Sequence, residues 1–300
     1  MSESSKSKTK FQAPKGMRDI LPDEQVFWQM IERVVKNIGH SYGFQKIDTP
    51  ILEETDLFIK GTGADTDIVE KEMYSLRTKG GDSLTLRPEF TPGVVRAYLE
   101  NGITSWPHPV KLYSLGPLFR YERPQKGRFR QHHQANFEVI GENDPIIDAQ
   151  LIQLFFAITR EIGLKGLTAQ INSIGCRECR PVYRRLLVNY YKNKKKELCQ
   201  DCLRRLQKNP LRLLDCKEKN CGLIAQNAPQ SIDHLCDACH NHFKQVLEFL
   251  DEIEVPCILN SRLVRGLDYY TKTVFEFFQE IGEGEGQIAL GGGGRYDNLV

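Results

Sequence analysis

Between Val110 and Ile140 the chain reads strand, basic loop, strand, and no other stretch constrains the fold as tightly. Val110 to Leu115 and Asn136 to Ile140 are apolar strand candidates. The loop from Arg120 to Arg130 carries Arg120, Arg123, Lys126, Arg128 and Arg130. That order predicts a long antiparallel hairpin. Its return strand carries Gln134 and Glu138, which are four residues apart and therefore share one face.

The flanking segments complete the pattern. Pro22 to His40 has helical spacing at Phe27, Met30, Ile31, Val34, Val35 and Ile38, with Pro22 suited to a first turn. Phe44 to Leu52 alternates as a strand that contains Pro50, which has no N–H to donate and belongs at an edge or an interface. Ser83 to Arg87 predicts a strand, and Thr91 and Pro92 an N-cap and first turn for a helix closed by Gly102. A helix over Pro145 to Ile162, a strand over Leu167 to Asn172, a helix near Phe243 to Leu250 and a strand over Pro256 to Leu259 follow. Thr273 to Gln279 and Gln287 to Leu290 read as a hairpin around a Gly/Glu turn. No βαβα rhythm runs through these elements, so the expected class is α+β, an antiparallel sheet flanked by helices with an inserted helical module.

Composition divides the chain. Residues 1–10 are Ser- and Lys-rich without an apolar run behind them, which predicts a disordered tail rather than a secretory signal. Eight of the nine cysteines fall between Cys176 and Cys239, and residues 174–242 read as an inserted module within a body made of 11–173 and 243–300. No apolar run approaches the roughly 18–20 residues that span a bilayer, so a cytoplasmic protein without a membrane partner is expected. The 41 basic and 39 acidic residues leave a net charge of +2. Any polyanion-binding surface must therefore be local.

The residues with chemistry to offer cluster in four strings. In the first, Arg120 at a strand end can grip a phosphate bidentately and the basic loop can meet a polyanion; a merely solvated charged hairpin is the plain alternative. In the second, Arg87-Pro88-Glu89-Phe90-Thr91, Glu89 can pair with an ammonium group, while Thr91 serves equally as a helix cap. The third, Arg265-Gly266-Leu267-Asp268-Tyr269-Tyr270, breaks a strand-like region with an arginine, a glycine, an acid and two tyrosines. The fourth, Gly291 to Asp297, has glycines but no Lys-Ser/Thr, so it is no P-loop. Its glycines suit close approach of backbone to a ligand or another strand.

Together these strings resemble bacterial histidyl-tRNA synthetases, members of the class II aminoacyl-tRNA synthetases, from Gly16-Met17-Arg18-Asp19 onward. Gly43 to Pro50 is similar to the class II first motif, which builds the dimer interface, and Phe119 to Glu138 to the second. Arg265 to Tyr270 and Gly292 to Asp297 resemble two signatures of the histidine enzymes. One such match could be chance; four in the right order are not. The resemblance implies a ligase that activates L-histidine with ATP and loads it onto tRNA(His), as a homodimer. It further implies that Arg120 and Arg265 flank the ATP α-phosphate, that Glu89, Thr91 and Gln134 hold the α-amino group, and that Glu138 and Tyr270, with Tyr269 nearby, reach the imidazole. Mg²⁺ would arrive with ATP, bound mainly through its phosphates.

Two departures stand out. Phe90 lies in the substrate-binding string where many relatives have glycine. The chain also stops at Val300, before the third motif and the anticodon-binding domain usual in the family, which predicts a truncated chain, weak or inactive alone. A regulatory paralogue that binds histidine without ligating it is the competing reading. Such paralogues tend to lose the signatures and the charged hairpin that are retained here. A zinc-dependent nucleic-acid-binding module would explain only the cysteines.

Cys176/Cys179, Cys199/Cys202 and Cys236/Cys239 have C-x₂-C spacing, and Cys216/Cys221 has C-x₄-C. Four pairs suffice for two four-thiolate Zn²⁺ sites, although spacing does not say which pairs share an ion, and free thiols are the alternative. Such a staple would suit a small polar insertion with few large apolar residues. Cys257 reads as a core residue, and His132 and His133 either contact tRNA or pack locally.

Overall fold

The computed structural model describes residues 11–125, 127–281 and 286–299. The expected tail at 1–10, Lys126, the middle of the Gly/Glu turn and Val300 lie outside them. In chain order the elements are α1 (Gln25–Ser41), β1 (Gln45–Lys46), β2 (Leu52–Glu54), α2 (Thr55–Thr62), β3 (Tyr74–Arg77), β4 (Ser83–Leu86), α3 (Thr91–Glu100), β5 (Val110–Phe119), β6 (Gln131–Ile140), α4 (Ile146–Ile162), β7 (Leu167–Ser173), α5 (Cys179–Lys192), α6 (Gln200–Lys208), α7 (Lys219–Gln226), α8 (Asp237–Glu252), β8 (Cys257–Leu259), β9 (Thr271–Glu280) and β10 (Gln287–Arg295).

The hairpin forms as expected and is longer. β5 and β6 pair antiparallel from Val110↔Ile140 to Phe119↔Gln131, and β1 adds in parallel at the edge through Gln45↔Leu112. Alternation sends side chains to two different cores. Tyr113, Ala135, Phe137 and Val139 pack with Val34 and Val35 of α1 and Leu154 and Ile158 of α4. Leu112, Leu118 and Ile140 pack with Phe90, Val94 and Tyr98 around α3. The even-numbered face of β6 therefore carries Gln134, Asn136 and Glu138 beside the α3 core.

A second sheet has the order β10-β9-β7-β8, antiparallel except for the parallel β7–β8 pair. Ala169, Ile171, Phe275 and Phe277 bury against Ala149 and Ile152 of α4 and Phe243, Val246 and Leu250 of α8. Helix α4 thus holds both sheets. A small β2-β4-β3 sheet delivers Glu89 to its place.

The strand expected from Phe44 to Leu52 does not form as one piece. It is β1 and β2, with Pro50 between them, because proline interrupts the ladder. Helix α8 starts at Asp237, so the compositional boundary after His242 falls inside a helix. Nor is the cysteine-rich stretch short of apolar residues. Tyr183, Leu187, Tyr191, Leu206, Leu213 and Ile224 form a core that continues into Leu263, Val264, Tyr269, Tyr270 and Val274. Among the described residues no helix is long and apolar enough to cross a membrane.

Candidate functional site

The turn from β4 into α3 buries Glu89. Its carboxylate accepts hydrogen bonds from the Thr62 hydroxyl at 2.6 Å and the Tyr269 hydroxyl at 2.7 Å. Burial pushes this carboxyl above the usual carboxylate range, opposed by the two hydroxyls and by nearby Arg120 and Arg265. A second buried carboxylate, Glu138 of β6, accepts from Thr91 Oγ1 at 2.6 Å, from Asn136 Nδ2 at 2.8 Å and from the Tyr296 hydroxyl. Burial raises this carboxyl too, against those same three donors. Aromatic rings join the two carboxylates: Tyr269 lies 4.6 Å from Tyr270 and 6.0 Å from Tyr296, centroid to centroid.

Thr91 does not cap its helix. Phe90 holds the N-cap position without a side-chain capping bond, and the Thr91 hydroxyl turns to Glu138 instead. A buried carboxylate is the stronger acceptor, since hydrogen bonds to charged groups are roughly twice as strong as neutral ones. The Phe90 side chain does not join this cluster. Its ring is buried in the α3 core and lies under the Arg87 guanidinium at 4.4 Å.

Arg120 follows β5 and donates from Nε to the Pro88 carbonyl at 2.9 Å. Its terminal nitrogens carry no hydrogen bond or ion pair among the described residues, which leaves a cation free to meet an anion. Arg265 pairs with Glu276 at 3.2 Å, and its Nε is buried without a partner. Gln134 stands opposite Gly116 on β5, half-buried, with no side-chain hydrogen bond among the described residues. His132 shares its face of β6; burial first, then Arg120 and His133, pull its pKa down to about 4. His133 packs against Trp28, ring centroids 4.6 Å apart.

The glycines of β10 make room. A Cβ at Gly292 would come within 2.6 Å of the Phe275 carbonyl and 2.7 Å of Arg265 Nη1. At Gly294 it would meet Tyr270 Cδ1 at 2.9 Å. The close approach expected of this string is therefore to β9 and to the side chains of the third string. In the basic loop, Arg123 and Arg128 are exposed. Arg130 lies over the Tyr121 ring at 3.7 Å, and its backbone N–H bonds the Gly16 carbonyl at 2.7 Å.

Three residues escaped sequence reasoning. Asn136 and Tyr296 lay inside strings already singled out, so a polar residue on the face of Glu138 and a tyrosine after the glycines were there to be read. Thr62 carried no signal beyond the glycines beside it.

The cysteines form two groups of four: Cys176, Cys179, Cys236 and Cys239, and Cys199, Cys202, Cys216 and Cys221, the sulfurs of each within 4.8 Å of one another. Adjacent sulfurs lie 3.7–3.9 Å apart. That is too long for a disulfide, whereas a tetrahedral ion with Zn–S near 2.3 Å sets the sulfurs about 3.8 Å apart. Cys179, Cys199 and Cys236 stand at the N-terminal ends of α5, α6 and α8. Either group could hold a metal ion. Cys257 is half-buried at the edge of the second core, where burial raises its thiol.

Comparison with known proteins agrees with this geometry. The family model described as Histidyl-tRNA synthetase matches residues 16–300. Histidine--tRNA ligase of Desulforamulus reducens is 51% identical over 288 residues, covering 96% of this chain and 68% of that protein. The enzyme of the same name from Dictyoglomus thermophilum is 50% identical over 288 residues, with 96% and 68% covered. Among solved structures, apo histidyl-tRNA synthetase of S. aureus superposes with a TM-score of 0.77 at 36% identity, over 96% of this chain and 67% of that one. The Bacillus halodurans protein titled ATP phosphoribosyltransferase regulatory subunit/histidyl-tRNA synthetase has a TM-score of 0.70 at 23% identity, over 98% and 78%, and shares the fold. The α+β, class II synthetase architecture expected from the sequence is the one found. With a family model spanning all but the first residues, and relatives at half identity over two thirds of their own length, the chain belongs to the histidyl-tRNA synthetase family.

Proposed function

We propose that this protein is a histidine–tRNA ligase, which activates L-histidine with ATP to histidyl-adenylate and transfers the histidyl group to tRNA(His). The observation that carries the reading is the pair of buried carboxylates, Glu89 and Glu138, held by hydroxyls and an amide, with Arg120 and Arg265 near Glu89. Glu89, with Thr91 and Gln134, binds the α-ammonium group. Glu138 and Tyr270, with Tyr269 beside them, face the imidazole, whose two nitrogens need polar partners. A site built on such groups rejects analogues that leave them unpaired.

Arg120 and Arg265 grip the α-phosphate as the histidine carboxylate attacks it and pyrophosphate departs, with Mg²⁺ carried in on the ATP phosphates. The unpaired terminal nitrogens of Arg120 support this. Arg265 also lines a cavity of about 200 Å³, together with Tyr270, Asp268 and Arg212. The exposed Arg123 and Arg128 suit a tRNA backbone. The Thr91 hydroxyl reaches the α-ammonium group by turning from Glu138 when histidine enters.

The division into a catalytic body, 11–173 and 243–300, and an inserted module, 174–242, belongs to the same reading. So do a cytoplasmic location and Zn²⁺ in the two cysteine groups. Homodimerisation is supported by apolar residues left exposed on α1 and at the start of β2, Val26, Phe27, Ile51 and Leu52. Charging of tRNA with radiolabelled histidine tests the function. The reading expects histidyl-tRNA that requires ATP; binding of histidine with no adenylate and no charged tRNA would favour a histidine-binding regulator.

A further inference from the structure

The two cysteine groups differ in what they touch. The group Cys199, Cys202, Cys216 and Cys221 lies inside the module, with Cys202 and Cys221 in its core beside Leu206 and Leu213. The other, Cys176, Cys179, Cys236 and Cys239, ties the end of β7 to the start of α8 and abuts the segment that carries the two tyrosines. Ile174 and Gly175, which precede this group, bond that segment through the backbone: Lys272 N–H donates to the Gly175 carbonyl at 2.9 Å, and Ile174 N–H to the Lys272 carbonyl at 2.8 Å. Gly175 itself has φ +72°, and a Cβ there would sit 2.6 Å from the Cys179 sulfur, so the close approach of that sulfur requires glycine. Arg180, next to Cys179, donates to the Tyr270 carbonyl.

The clamped segment is held under strain. Lys272 has φ 47°, a left-handed conformation that is unfavourable for a non-glycine residue and persists only where the surroundings over-determine it. Here they are the Gly175 bonds and the Lys272–Asp297 ion pair at 2.9 Å. Tyr269 and Tyr270 directly precede this residue pair, and Tyr269 bonds Glu89.

We infer that the ion held by Cys176, Cys179, Cys236 and Cys239 positions Tyr269 and Tyr270 through Gly175 and Arg180, so that its occupancy sets the affinity for histidine, while the ion held by Cys199, Cys202, Cys216 and Cys221 staples the module core, which the tyrosines join through apolar packing. The inference rests on the histidine pocket proposed above. Arg180 acts through Tyr270 and is a positioning residue.

Three variants separate the roles. Metal analysis of the wild-type protein expects two zinc ions per chain, and one in either Cys199→Ser/Cys202→Ser or Cys236→Ser/Cys239→Ser. Because a cysteine variant can fail to fold, Arg180→Ala carries the decisive comparison: it keeps two ions yet weakens histidine at least about tenfold, the loss of one charge-assisted bond. Arg180→Lys recovers part of the loss. The Cys199→Ser/Cys202→Ser protein loses less histidine affinity than Arg180→Ala does.

Hydrogen exchange reads the coupling without any ligand. The amides of Tyr270 to Lys272 exchange faster when Cys236→Ser/Cys239→Ser loses its ion and in Arg180→Ala, and less so in the other double variant. Equal histidine affinity and equal exchange in Arg180→Ala and wild type would overturn the inference, as would fewer than two ions in the wild type. A wild-type protein that binds no histidine would refute the pocket, and the exchange data would still decide the coupling.

Discussion

Glu89 and Glu138 are kept from water and supplied with hydroxyl and amide donors instead of cations at bonding distance. Burial raises the Glu89 carboxyl above its ordinary 4.5. An acid raised on folding contributes stability that is full below its unfolded pKa and is lost as pH rises through the higher folded one. At neutral pH the empty pocket therefore weakens the fold. Glu89→Gln cannot ionise, and the Thr62 and Tyr269 hydroxyls can turn to accept from an amide. Without ligand at neutral pH this variant should melt no lower than wild type, yet bind histidine at least about tenfold more weakly by calorimetry. A much lower melting temperature, or unchanged affinity, contradicts the assignment.

His132, with its pKa near 4, should stay neutral through physiological pH. An NMR titration midpoint close to the ordinary 6.5 would count against its burial beside Arg120. Glu138 was legible because the period of a strand puts it with Gln134. Its bond to Thr91 was not, because it joins residues 47 apart in the chain, and no local rule brings a helix start to a strand end.

At the scale of elements, β10 is where pattern reading falls short. The sequence predicted a strand only to Leu290, since glycines have no side chain to pack and weaken a strand. The ladder nevertheless runs on through Gly291–Gly294 to Arg295 because bulkier residues on β9 and the Arg265 side chain fill the space. Gly292→Ala should lose about 1–3 kcal/mol by overpacking and reduce pyrophosphate exchange by more than tenfold as Arg265 is displaced. Denaturant unfolding and exchange kinetics that match wild type would show that Arg265 does not depend on that gap. The β5–β6 hairpin was legible for the opposite reason. Its alternation serves two separate cores, so a one-residue slip would misplace every side chain.

For the whole molecule, spacing gave the cysteine pairs but not their partnership. Cys176 and Cys179 meet Cys236 and Cys239 because β7 and α8 pack in one core, a contact some 60 residues long-range that the spacing of each pair cannot encode. The module core was hidden likewise: its tyrosines and leucines are buried partly by Tyr269, Tyr270 and Val274 from outside the module. Removal of metal by a chelator should therefore loosen this shared core first. The expected result is faster hydrogen exchange across α5–α7 with β5 and β6 unchanged; uniform exchange before and after chelation would argue that no ion supports the module.

The central claim is that the pocket selects histidine for activation. ATP–pyrophosphate exchange measured separately with each of the twenty amino acids tests it most directly. The account predicts that the exchange this chain supports, however weak, is with histidine alone and is abolished in Arg120→Ala and Arg265→Ala. Exchange supported by a different amino acid, or histidine-dependent exchange that survives both substitutions, would contradict it.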